Sequence, residues 1–292
     1  MSSMETAAAF PLRAPPKLVT RITIVHLIEM IFAGILMVFL VLPAIFKFSL
    51  VNASFWQIYG RFYVTGLFGT FFYVALTLPL SVVLGFLMGW ARVSRVRIFS
   101  WPASLYVNVF RGLPPLILVI FASLFGTNLV PQPIIDRFLS GFRRGDIAVG
   151  LAAIAIGMHS SAYQAEIFRA GFQSVPKGQL EAAQALGLRP WQGMRHVILP
   201  QTFRLSLPPL GNEFAGLIKD TSILAAIAGT DLVAKSRDLL GILPASGFPI
   251  FWIFAVWTVV AVTYFVLTYS VTRGLRLLER KFHTPGLEGI SL

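Results

Sequence analysis

The sequence predicts an all-α integral membrane protein with about six transmembrane helices, and three observations predict it. Of 292 residues, 56% are hydrophobic and 12% charged, about half the ~25% charge of a soluble globular domain. Two stretches, Phe62 to Ala91 and Phe248 to Thr272, hold no Asp, Glu, Lys or Arg, and each as helix is long enough to cross a hydrocarbon core of ~30 Å. The net charge of +12 resides at the ends of apolar runs rather than in one patch mixed with aromatic residues, which argues against nucleic acid as a partner and for lipid as solvent.

Taken in order, residues 1–21 read as a polar, Pro-rich tail. It leads into an apolar run, Ile22 to Phe46, with no small-residue cleavage site behind it, so a retained first helix is expected rather than a cleaved signal peptide. Helices are then expected at Phe62 to Ala91, Phe99 to Phe125, Ile147 to Arg169, Leu205 to Thr230 and Phe248 to Thr272. Gly126 to Asp146, with Pro131, Pro133 and Gly141, reads as an outer loop. The domain reading is a tail over 1–21, an extra helix and outer loop over 22–61, one membrane domain over 62–281, and a tail over 282–292.

Basic residues choose the orientation. The N-terminus, Arg92 to Arg97, Arg169 to Arg204 and the C-terminus together hold 15 Lys and Arg, whereas the opposite segments hold 7. Both termini are therefore expected in the cytoplasm. Arg111 and Lys219 fall inside apolar segments, where a charge must face a partner, a cavity or water. Arg111 directly precedes Gly112, Leu113, Pro114 and Pro115, so its helix should break at the charge, as where irregular backbone lines a cavity. Snorkelling of Arg111 to the headgroups is the other reading. Glu166 and Arg169, three apart on one helix, should pair. His159 reads as a hydrogen-bonded core residue.

Several chemistries are missing. The chain has no cysteine, which removes disulfides and thiol chemistry, and its four histidines form no His-Glu-x-x-His. No Gly-Lys dipeptide occurs, so the phosphate-cradling Gly-x-x-x-x-Gly-Lys loop is excluded. The chain is expected to carry no cofactor and to be no enzyme; if nucleotide drives it, another polypeptide hydrolyses that nucleotide.

The segment 174–200 reads as two short helices in a cytoplasmic loop. Ser174 and Pro176 start the first, Gly187 ends it with positive φ, Pro190 opens the second and Pro200 closes it. Ala182, Ala183 and Ala185 offer a small-residue face to a partner backbone, and Glu181 a charge to fix register. Glu181, Ala182, Ala183, Gly187, Leu199 and Pro200 stand in register with Glu-Ala-Ala, three residues, Gly, nine residues, Ile-x-Leu-Pro, with Val197 where Ile is usual. This resembles the coupling loop of permease subunits of ATP-binding-cassette importers.

The flanks Ser161 to Pro176, Leu207 to Glu213 and Lys219 to Ser222 resemble the polar amino-acid subgroup of that family (histidine, glutamine and arginine permeases). So does Arg111-Gly112-Leu113-Pro114, with Leu113 where the subgroup has Thr. The resemblance covers roughly 62–281 and implies a type I importer permease fold in the inner membrane of a prokaryote. It further implies two cytoplasmic ATPase subunits that bind the ATP, a second identical or paralogous permease, an extracytoplasmic binding protein and an amino-acid substrate. The subgroup usually has five spans, so Ile22 to Phe46 would be an addition.

Within that frame Glu213 and Asp220, with Asn212 nearby, are expected to line the pathway. Seven residues apart on a helix is about 700° of rotation, so the two acids face nearly the same way, while Lys219 points roughly 120° from Glu213. The contrary reading has Asp220 stapled to a basic residue of another helix, with Arg111 as candidate. An ion-coupled secondary transporter using Glu213 and Asp220 as ligands is the alternative function.

Overall fold

The computed structural model describes residues 29–30, 33–34, 37 and 41–282, except residue 140. The tails and most of the first expected helix lie outside the described residues. Two compact units divide at Val51 and Asn52. In the first, helix α1 (Leu42–Phe46) ends at Lys47 in the left-handed conformation, φ 51°. The second unit holds the rest of the described chain, all of it helical or irregular, with no strand among the described residues.

Helix α2 (Ala53–Val93) starts nine residues before the expected Phe62. Asn52 supplies the reason: its side chain accepts from Phe55 N at 2.9 Å, satisfying a donor that the first turn otherwise leaves unpaired. Gly60 and Arg61, just before the expected start, lie inside the helix because its first turns precede the charge-free apolar run. At 1.5 Å per residue its 41 residues span ~60 Å, about twice a hydrocarbon core.

The third expected span is two helices. Helix α3 (Arg97–Gly112) and helix α4 (Pro115–Leu129) meet at 103°. Leu113 and Pro114 are extended between them, since the residue before a proline is pushed out of helical space. The segment expected as a loop contains helix α5 (Gln132–Phe138), opened by Pro131 and Pro133. Helix α6 (Arg144–Ser174) then returns through the centre of the unit, touching α2, α3 and α4.

The loop 174–200 holds helix α7 (Lys177–Ala185) and helix α8 (Pro190–Gly193) as expected, but Pro200 closes nothing. A π-helical turn over Met194–Ile198 bonds Leu199 N to Met194 O. That i→i+5 register lets helix α9 (Leu199–Asp220) begin with Pro200 in its first turn, where the missing N–H is harmless. The expected fifth span ends early. After Asp220 the chain tightens into a 3₁₀ turn, Thr221–Ile227, reverses at Ala228 with φ 66°, and starts helix α10 (Leu232–Leu240). Helix α11 (Ile253–Phe282) completes the described fold.

Among the described residues three segments are long and apolar enough to cross a bilayer, Ala53–Val93, Arg144–Ser174 and Ile250–Leu278. The bent α3–α4 pair makes a fourth if counted as one broken span. The expected six are not reached on this criterion. The first lies outside the described residues, and α9, although ~33 Å long, carries Arg204, Glu213, Lys219 and Asp220.

Packing is tightest around α6. At one end Phe168, Phe172, Val175, Ile198 and Leu210 form a buried cluster, capped by Phe86, whose ring stacks on Phe203 at 5.3 Å and meets Phe168 edge-on at 5.4 Å. Towards the other end Tyr73, Val119, Val149, Ile156, Leu217 and Leu224 form a second. Gln164, wholly buried, donates to Ser81 of α2 at 2.8 Å. An interhelical hydrogen bond in lipid contributes only ~0.6 kcal/mol on average, so close packing dominates. Gly69 shows how close: a Cβ there would lie 2.1 Å from Thr230 O, so only glycine lets the turn before α10 rest on α2.

Candidate functional site

The polar residues of α6 recur on one helical face through an otherwise apolar span. His159, Ser160, Tyr163 and Glu166, at i, i+1, i+4 and i+7, fall within about 120° of one another around the helix, and three other helices bring groups to them.

Glu213 of α9 reaches Ser160, whose hydroxyl donates to Glu213 Oε1 at 2.8 Å. Asp220, two turns on, has no hydrogen bond or ion pair among the described residues. It shares an electrostatic neighbourhood with Glu213, and His159 and Lys219 are the basic groups that act on it. The two acids are thus half-buried and close enough to feel each other, as the 700° rotation requires. His159 is 6% exposed and its Nδ1 lies 2.8 Å from Phe110 O, the satisfied core histidine expected.

Arg111 does not join Asp220. It lies 5.2 Å over the Tyr163 ring and binds Glu166 Oε1 at 2.9 Å. Arg92 of α2 reaches the same oxygen, and Arg169 binds Oε2 at 2.6 Å. The expected pairing of Glu166 with Arg169 is present, with two further arginines around the same carboxylate. Asn212 is exposed on another face of α9, where it lines a cleft with Pro208, Thr272 and Arg276. Lys219 is exposed.

The loop 174–200 forms one compact feature. Helix α7 closes with Gly187 at φ 79°, Gly187 N bonding Gln184 O at 2.9 Å and Leu188 N bonding Ala183 O at 3.1 Å, the paired bonds of a Schellman cap. Ala183 is 4% exposed and packs inward on Gly193, so it is not part of the outward small-residue face. Glu181, Ala182 and Ala185 are exposed, as are Leu186 at 83% and Trp191 at 58%. The signature's Leu199 and Pro200 begin α9, so the loop is continuous with the helix that carries both acids.

Sequence reasoning missed Ser160, Tyr163 and Arg92. The first two were legible as polar positions at helical spacing on α6, whereas Arg92 needed the fold.

Residues 81–284 match the family described as "Binding-protein-dependent transport system inner membrane component". A probable glutamine ABC transporter permease of Bacillus subtilis is 36% identical over 75% of this chain and 92% of its own length. A glutamine transport system permease of Escherichia coli is 34% identical over 69% and 84%. Among solved structures, an amino acid ABC transporter with histidines superposes with a TM-score of 0.62 at 29% identity, over 79% of this chain and 99% of that one. A methionine ABC transporter in an inward-facing conformation shares the fold, with a TM-score of 0.57 at 17% identity. With more than half its length inside the match, this chain belongs to the binding-protein-dependent transport inner-membrane component family, whose members are transport permeases of the inner membrane.

Proposed function

We propose that the chain imports a polar amino acid, delivered by an extracytoplasmic binding protein, through a pathway lined by Glu213 and Asp220. The loop 174–200 couples that pathway to two cytoplasmic ATPase subunits, which bind and hydrolyse the ATP. A second permease copy or paralogue completes the pore, and both termini face the cytoplasm. The observation that carries this reading is the acid pair on α9: one carboxylate is oriented by Ser160, the other is unengaged, and the same helix emerges directly from the exposed loop.

Two half-buried carboxylates suit the ammonium of an amino acid or a cationic side chain. A charge is costly among apolar neighbours unless it faces a partner or a cavity. Asn212 and Lys219 flank the acids on other faces of α9, and Arg111 stands with the ion cluster at the end of the α6 polar face. Family membership disfavours an ion-coupled carrier using the same acids.

Glu213→Gln and Asp220→Asn keep size and hydrogen bonding while removing charge. In proteoliposomes holding the whole complex and its binding protein, each should lower amino-acid uptake about tenfold or more, the worth of a hydrogen bond to a charged group. Assembly and basal ATP hydrolysis should persist. Unchanged uptake in both variants overturns the pathway assignment, and failed assembly assigns the acids to helix packing.

A further inference from the structure

Where four elements meet, a carboxylate and a phenol are buried without direct partners. Asp231 is wholly buried and uses Oδ2 to cap α10, accepting from Val233 N at 3.0 Å. Its buried Oδ1 and the buried Tyr264 Oη of α11 have no hydrogen-bond partner. The two groups nevertheless act on one another, and Thr70 of α2 and Thr221 of the 3₁₀ turn neighbour the same Tyr264 hydroxyl. Both threonines are wholly buried. Thr70 also stands beside Asp231 through the backbone, because its Oγ1 accepts from Leu232 N at 3.1 Å.

The hydroxyl orientations make this place rich in acceptors. Thr70 donates to Gly66 O at 3.2 Å and Thr221 to Ile218 O at 2.8 Å, so each presents only lone pairs to its other neighbours. The Tyr264 proton is the one donor left to serve them and Asp231 Oδ1. The charge is equally unmet. On α10, Lys235 binds Asp238 at 3.0 Å and Arg237 donates to Ala225 O at 2.7 Å. Lys219, just before the turn, acts on Asp220. Arg61 of α2 and Arg273 of α11 lie nine residues from Thr70 and Tyr264. A buried carboxylate without a counter-charge is costly, and a bound water would bring it protons but no charge.

We propose that Asp231 Oδ1 and the hydroxyl oxygens of Thr70, Thr221 and Tyr264 bind a monovalent alkali cation. Hard cations take oxygen ligands. One carboxylate among neutral oxygens matches one positive charge, whereas a divalent ion would bury a surplus. The ion would tie α2, the 3₁₀ turn, α10 and α11 together directly after Asp220. The site is separate from Glu213 and Asp220 and stands without the transport reading, because it needs no substrate and no ATP. Proton and cation compete for the same oxygen, so the pH response of Asp231 is fullest in sodium-free buffer.

The test uses the purified full chain in neutral detergent at pH 8, above the value of about 6 to which burial raises the Asp231 carboxyl. Sodium is the probe and choline its replacement. Radiolabelled sodium should be retained saturably, and a tenfold excess over its dissociation constant should raise the melting temperature by about 2–4 °C relative to choline. Asp231→Asn, which keeps the cap, should abolish both effects. Tyr264→Phe should weaken binding about tenfold, and Asp238→Asn on the surface of α10 should leave it unchanged. Calcium at equal concentration should not displace the ion. Equal melting in sodium and choline with no retention overturns the proposal and leaves these oxygens to bound water. Retention unaltered in Asp231→Asn also overturns it, and retention lost instead in Glu213→Gln or Asp220→Asn moves the ion to the pathway acids. Displacement by calcium refutes the charge match. Where Asp231→Asn fails to fold, wild-type retention and the Tyr264→Phe affinity decide, an unchanged affinity again overturning the site.

Discussion

At the scale of single residues, buried polar groups outside the spans set how the protein responds to pH. Asp231 caps α10, accepting from Val233 N at 3.0 Å through Oδ2, while its buried Oδ1 has no hydrogen-bond partner. Burial raises its carboxyl from 3.8 to about 6, against the opposing pull of the helix's first amides and the Tyr264 hydroxyl. A raised folded-state value means the native state favours the protonated form. Its stabilisation is thus complete below the unfolded value near 4 and is lost as pH rises through about 6. The shift corresponds to a few kcal/mol at most, on the order of 3. Asp231→Asn keeps the cap, because Asn caps as well as Asp, and has no charge to bury. The melting temperature of the variant minus that of wild type should rise between pH 4 and about 7 and then level off. A difference flat across that window would show that Asp231 is not the titrating group.

At the scale of elements, α7 and its cap carry the proposed docking function. Gly187→Val places a β-branched side chain at φ 79°, costing of order 1 kcal/mol or more and unlocking the two capping bonds to Gln184 and Ala183. ATP-driven uptake by the whole complex should fall while the affinity of the isolated binding protein for substrate stays unchanged. Full uptake with undiminished stimulated ATP hydrolysis would remove this loop from coupling.

The cap was readable in the sequence because a glycine after an Ala-rich run has one common use. The break after Arg111 was readable because Pro114 constrains Leu113. The course of Pro200 was not readable. Whether a proline ends or begins a helix depends on the hydrogen-bond register before it, and the π turn that shifts the register has no residue signature. The end of α9 at Asp220 was hidden for a related reason, since Thr221 to Ile227 is as apolar as a helix but tightens where the following turn meets Gly69 of α2. Of the candidate site, the facing of Glu213 and Asp220 follows from helix geometry alone. The pairing of Arg111 with Glu166 rather than Asp220 does not, because it depends on how α3 crosses α6.

At the scale of the whole molecule, the described helices give the unit two distinct ends. Phe55 at the start of α2 meets the rings of Phe248 and Trp252 near the start of α11, at 6.2 and 5.2 Å, and Tyr59 bonds Ser236 of α10 at 3.0 Å. These residues mark one end. Arg92, Arg169 and the loop 174–200 mark the other, since α2 and α6 run parallel and both finish there. The loop end also carries Arg95, Arg97, Lys177, Arg189, Arg195 and Arg204, the bias from which a cytoplasmic side is expected for it. Because the chain has no cysteine, single cysteines report sidedness without background. Gln132→Cys and Ala245→Cys lie at exposed positions of the first end, and Gln179→Cys and Gln184→Cys at exposed positions of the loop. In sealed cells a membrane-impermeant maleimide should label the first pair, and should reach the second only after permeabilisation. Each change is a surface substitution, with an expected effect within about 0.5 kcal/mol, so folding should not obscure the result. Labelling of residue 179 or 184 in sealed cells would invert the orientation and, with it, the assignment of the loop to cytoplasmic ATPase subunits.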